Sequence, residues 1–88
     1  MTATFYILKS DLKEKYYIGH TSDALIERLR RHNTNHGGFT GHVSDWKIIY
    51  FETYPSQEQA YARERQVKKW KSKTMIEKLI ARSEHPDL

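Results

Sequence analysis

Tyr6 in "TFYIL" and Tyr17 in "KYYIG" are two phenols on stretches that read as neighbouring strands. Side chains alternate across a pleat, so Tyr16 and Tyr17 must point to opposite faces. If an even number of residues forms the turn between the strands, Tyr6 and Tyr17 share one face. Phe5, Ile7, Tyr16 and Ile18 then share the other. Three further residues depart from the pattern around them. Leu25, Leu29 and His32 follow at i, i+4 and i+7, so an apolar helical stripe ends in an imidazole, with Arg28 one turn before it. On a later helix Glu64 falls inside the arc of Ala60, Val67 and Lys71. A buried, unpaired carboxylate there is costly or shifts its pKa. Glu64 is therefore either in a salt bridge to a neighbouring arginine or a rim carboxylate ligating a hard cation such as Mg²⁺. Two phenols, an arginine–histidine edge and one carboxylate fit phosphodiester hydrolysis. That reaction needs a Lewis acid, a cation for the developing charge, and groups that orient and deprotonate water. Gly19, two residues after Tyr17, lets backbone or substrate come close.

The elements that must position these residues are legible as patterns. "ATFYIL" and "KYYIG" read as a hairpin across "SDLKE". A helix capped by Thr21, Ser22 or Asp23 carries Leu25, Ile26 and Leu29 and runs to about Asn33. Residues 34–45 hold three of the four glycines and read as a loop, before a third strand in "WKIIYFETY". Pro55 and the capping box of Ser56 with Gln59 open a helix running to Trp70. Met75, Ile76, Leu79 and Ile80 repeat at helical spacing in a last short helix, and "EHPDL" reads as a frayed tail. The order β-β-α-β-α-α predicts an α+β fold: a small, mainly antiparallel sheet covered by helices.

A chain of 88 residues supports one core, so we expect a single domain over 1–88 with its folded part at about 4–82. With no cysteine there is no thiolate metal site, disulfide framework or cysteine nucleophile, which suits a cytoplasmic protein. The longest apolar run near the N-terminus is Phe5–Leu8, too short for a signal sequence or a membrane span. Fifteen Lys and Arg against eleven Asp and Glu, with pI near 9.4, permit a polyanionic partner.

At these residues the sequence resembles the GIY-YIG nuclease superfamily, in particular its small stand-alone bacterial members. The two motifs correspond to Thr4–Tyr6 and Tyr17–Gly19. "ERLRRHN", "WKIIYFE" and "ARERQVKKWKSK" extend the resemblance over about Thr4 to Ile80. It implies a three-stranded antiparallel sheet flanked by helices. Tyr6 and Tyr17 would be the paired motif tyrosines, Arg28 the arginine of the first helix and Glu64 the metal-binding carboxylate. The sequence departs from the family in having Thr4 and Phe5 in the first motif and one extra residue near Ala24. It has His20 where some relatives carry lysine. A histidine titrating near 6.5 could relay a proton near neutral pH.

The reading that follows is an endonuclease dependent on one divalent cation, Mg²⁺ or Mn²⁺. It would act on DNA in preference to RNA, structure-selective or weakly specific, and linked to repair or recombination. Tyr6 or Tyr17 would orient or deprotonate water, Arg28 would hold the phosphate, Glu64 the metal, and His20 and His32 would assist proton movement. Arg31, Lys68, Lys69 and Lys71 would follow the nucleic-acid backbone. The alternatives are a non-catalytic nucleic-acid-binding module with the same fold, and a purely structural domain. His36 and His42, in the glycine-rich loop, lack a further strong ligand and are not expected to form a metal pair.

Overall fold

A computed structural model of the chain describes residues 2–34 and 43–82. Three strands, β1 (Ala3–Ser10), β2 (Lys15–Thr21) and β3 (Lys47–Tyr54), form one antiparallel sheet in the order β2-β1-β3. Three helices complete the β-β-α-β-α-α order: α1 (Leu25–His32), α2 (Gln57–Trp70) and α3 (Lys73–Arg82). His36, His42 and the tail "EHPDL" lie outside the described residues.

The central strand explains its own sequence. Phe5, Tyr6, Ile7 and Leu8 are all fully buried, so β1 has no solvent face and reads as a continuous apolar run. On one side Phe5 and Ile7 pack with Tyr16, Ile18, Tyr50 and Val67, covered by α2 and by Ile76, Leu79 and Ile80 of α3. On the other, Tyr6 and Leu8 pack with Tyr17, Trp46 and Ile48, covered by Leu25 and Leu29 of α1. The hairpin turn has the even length that this division requires, since Ser10 pairs with Lys15. Glu14 adopts φ 53°, the left-handed conformation that closes it.

Local details differ from the sequence patterns. Ile26, expected in the apolar stripe of α1, is 67% exposed. β2 extends two residues beyond "KYYIG", which makes His20 and Thr21 strand residues. Thr21 therefore does not cap α1. Its hydroxyl accepts the Asp23 N–H at 3.0 Å, and Ala24 stands at the N-cap with no side-chain hydrogen bond. Met75 is exposed at 42%, because α3 turns only Ile76, Leu79 and Ile80 toward the sheet. The start of α2 does follow its capping signal, with Ser56 Oγ accepting the Gln59 N–H at 3.3 Å.

Candidate active site

Antiparallel register places Tyr6 opposite Gly19. That pairing governs the site. A Cβ on Gly19 would stand 2.8 Å from the Tyr6 hydroxyl oxygen and 3.0 Å from Tyr17 Cε2, so both phenols lean over the glycine. Their ring centroids are 6.3 Å apart. The Tyr17 ring also lies 4.6 Å from the His32 ring and 6.4 Å from that of Trp46.

The Tyr6 hydroxyl is the meeting point. Arg28 Nε donates to it at 3.3 Å, and His32 Nε2 lies 2.9 Å away in a bond whose direction depends on the imidazole tautomer. Burial pushes the Tyr6 hydroxyl up to about 12, against the opposing pull of the Arg28 bond; the nearby charges of Tyr17 and Glu64 push it the same way as burial. The same bond holds the Arg28 guanidinium more firmly protonated. His32 is itself buried at the C-terminal end of α1. The next residue pins that end. Asn33 Nδ2 donates to the Trp46 carbonyl at 3.0 Å, and the Trp46 N–H donates to Asn33 Oδ1 at 2.8 Å.

Glu64 approaches from α2. It is only 9% exposed, as its place between Ala60 and Val67 predicts. Its partners are not arginines, and no bond joins it to Arg28 among the described residues. His20 Nδ1 lies 2.6 Å from Oε1, and Lys68 Nζ donates to Oε2 at 2.7 Å. Strand parity explains the first contact: His20 alternates with Gly19 and faces α2, on the side opposite Tyr6 and Tyr17. Helical spacing explains the second, since a Glu four residues before a Lys is the favoured orientation. The His20 ring also packs at 5.0 Å from Tyr61. Both oxygens of the carboxylate are thus engaged beside β2, the edge strand that carries Tyr17.

The structure divides the other predicted binding residues. Lys68 belongs first to Glu64, while Arg31 makes a loose, exposed pair with Asp23 at 3.6 Å. Lys71 is not part of the buried arc of α2; it ends the helix at φ 47°. Lys69 is exposed and lines none of the grooves described below.

A second polar cluster has no counterpart in the sequence reading. Glu52 accepts from Tyr50, from Tyr54 at 2.5 Å, and from Arg63 Nε at 3.0 Å. It borders a groove of about 540 Å³ between β3, α2 and α3, shared with Trp70, Met75 and Leu79. That groove shares no residue with the tyrosine site. Burial opposes ionisation of Glu52, but the bonds from Arg63, Tyr50 and Tyr54 outweigh it and hold the carboxyl below its usual range. Its bonds tie β3 to α2.

As a metal centre this region offers one protein carboxylate, Glu64, held on the other side of β2 from the tyrosine face. No group of three or more His, Asp or Glu side chains converges among the described residues. The donor set nevertheless fits a hard cation such as Mg²⁺, which keeps several waters and takes one or two carboxylates together with substrate phosphates. Glu64 would hold it, with Lys68 giving up its place.

Comparison with known proteins identifies the fold family. The family model described as the GIY-YIG catalytic domain matches residues 2–78. The chain is also similar to the solution structure of the UPF0213 protein BH0048 from Bacillus halodurans, with 25% identity and a TM-score of 0.60. That match covers 98% of this chain and 89% of the other. No curated protein shows significant similarity. No helix among the described residues is long and apolar enough to cross a membrane. With its motif tyrosines on one sheet face and the family match spanning nearly the whole chain, the protein belongs to the GIY-YIG family and has its nuclease-type fold.

Proposed function

We propose that this protein is a cation-dependent endonuclease that hydrolyses phosphodiester bonds in DNA. The observation that carries this reading is the Tyr6 hydroxyl held between Arg28 and His32, beside Tyr17, over a glycine whose missing side chain leaves room for both phenols. Arg28 would stabilise charge on the phosphate oxygens as it develops. With its hydroxyl pushed up to about 12, Tyr6 is a poor free base near neutral pH. Its side chain is also fully buried, so it would act by positioning: it holds Arg28 and His32, and in the His32 tautomer with Nε2 bare its O–H donates to that nitrogen. The half-buried Tyr17 would orient the attacking water. A divalent cation, Mg²⁺ or Mn²⁺, bound at Glu64 would supply Lewis acidity at the phosphoryl group.

One observation favours a second reading, a nucleic-acid-binding module without cleavage: His20 and Lys68 already occupy both Glu64 oxygens. Labelled single-stranded, nicked, branched and duplex DNA incubated with Mn²⁺ decides between them. Nicking by the wild type that vanishes in Glu64→Gln, with binding kept, supports the nuclease. Binding without nicking on every substrate leaves the module.

A further inference from the structure

Along the outer edge of β2, a groove runs between that strand and the junction of α2 with α3. Its floor is apolar, made by Ile18, Val67 and Ile76, and its rim carries Lys15, Lys68, Lys71 and Lys73. Glu14 is the one carboxylate among its lining residues. No carboxylate among the described residues holds Lys71 or Lys73, whereas the cations around the opposite groove include Arg63, which is tied to Glu52. The left-handed turn at Lys71 separates the two helices and sets Lys71, Ser72 and Lys73 in succession along the rim.

The groove adjoins Tyr17 of the tyrosine pair. Tyr16, Ile18 and Lys68 also line a neighbouring depression bordered by Tyr17. Lys68 therefore stands at the junction of three things: the lysine-rimmed groove, the Tyr17 depression and the Glu64 carboxylate. Its side chain is 52% exposed, with its ammonium on Glu64 Oε2.

We infer that this groove is a binding site for a polynucleotide strand flanking the one engaged at the tyrosines, its phosphates on Lys15, Lys71 and Lys73 and its bases toward the apolar floor. This rests on the nuclease-type reading only for the identity of the ligand. A row of ammonium groups over an apolar strip matches a chain of phosphates bearing flat apolar rings. Adjacency to Tyr17 favours the substrate's own strand over an acidic polypeptide, which would offer charge and no rings.

The test measures binding without divalent cation, in EDTA, by fluorescence anisotropy with labelled dodecathymidylate and with polyglutamate as a second probe. Lys71→Ala and Lys73→Ala should each weaken oligonucleotide binding about fivefold and flatten the log–log salt slope by about 0.7, the value for one phosphate on a single strand. Lys78→Ala removes the same charge from the rim of the opposite groove and should change affinity less than twofold. In a ¹⁵N titration the amides of Ile18, Lys71, Ser72 and Ile76 should shift together with that of Tyr17. Equal losses in all three variants, or shifts that leave Ile18 and Ile76 unmoved, overturn the site. Polyglutamate bound as tightly as the oligonucleotide, and lost equally in the variants, overturns the choice of ligand. These results do not depend on nicking, so a failure to cleave would leave them standing.

Discussion

His20 Nδ1 lies 2.6 Å from Glu64 Oε1, which ties the α2 carboxylate to the strand that carries Tyr17. With Lys68 on the other oxygen, Glu64 is a compensated buried charge. The two roles open to Glu64, fold contact and cation ligand, are therefore not exclusive. Glu64→Gln keeps the shape and one acceptor but removes the charge from two charge-assisted bonds. We expect it to lower stability by about 1.5–3 kcal/mol, the usual scale for a hydrogen bond to a charged group. Chemical denaturation without metal measures that loss. An unchanged midpoint would mean that the His20 and Lys68 contacts contribute nothing net.

Lys68 makes a sharper test of the cation site. An ammonium 2.7 Å from Oε2 competes with a divalent cation for the same oxygen, and like charges repel at such distances. Lys68→Met should tighten Mn²⁺ binding about tenfold by calorimetry, and Lys68→Arg should leave it near the wild-type value. Weaker Mn²⁺ binding by Lys68→Met would show that the lysine supports the site instead of blocking it.

How much of this arrangement could be read from the sequence depends on whether the signal was periodic. Parity along β1 and β2 put Tyr6 and Tyr17 on one face, and helical spacing put Glu64 among Ala60 and Val67; both are seen. A neighbouring arginine is the counter-ion the sequence suggests for Glu64, but neither of its partners is one. The i,i+4 lysine was in plain view, and His20 became available only because β2 continues past Gly19. The Asn33–Trp46 clamp and the Tyr50–Glu52–Tyr54–Arg63 cluster are contacts across turns and layers. No periodicity announces those. Thr21 looked like a cap because its hydroxyl is suited to one, and the strand took it first.

Asn33 should matter beyond its own exposure. Its amide makes two bonds to the Trp46 backbone and fixes the end of α1 directly after His32. Asn33→Ala leaves a backbone donor and acceptor to find water, at a cost of about 1–3 kcal/mol. Loss of the clamp should also loosen His32 from Tyr6. Nicking activity under native conditions should then fall by more than the change in folded fraction explains. A proportional fall would confine Asn33 to stability.

The extremes of pH should weaken the fold through different groups. The folded-state value of the Tyr6 hydroxyl is raised to about 12 from 10.0, chiefly by burial. Its contribution is complete below pH 10 and is lost as pH climbs from about 10 toward 12, because the unfolded chain releases the proton first. Tyr50 and Tyr54, raised to about 12 by burial and by their bonds to Glu52, add to the same alkaline loss. In acid the sign reverses. Asp45 is held below its usual range first by the Ser10 hydroxyl and then by the Leu12 N–H, and its contribution disappears as pH falls through that lowered value. Melting temperature should therefore stay flat between about pH 6 and 9 and fall on both sides. Tyr6→Phe should reduce the alkaline slope and leave the acid limb unchanged.

Gly19 supplies the most direct test of the site's geometry. A methyl group there would stand 2.8 Å from the Tyr6 hydroxyl oxygen, 2.9 Å from Tyr6 Cζ and 3.0 Å from Tyr17 Cε2. Tyr17 is half-buried and can turn outward. Tyr6 cannot, since it is fully buried and held by Arg28 and His32. Gly19→Ala must therefore displace the ring that anchors the site or bend β2 away from β1. Overpacking of this kind costs about 1–3 kcal/mol, offset in part by the lower chain entropy of alanine in the unfolded state. The variant should fold with a lowered melting temperature and lose nicking activity. Its ¹⁵N spectrum should show the largest shifts at Tyr6, Tyr17, Arg28 and His32, with the α3 amides unmoved. Wild-type stability and activity in Gly19→Ala would mean that the two phenols have room to part, and that their close approach over the glycine is not what the site requires.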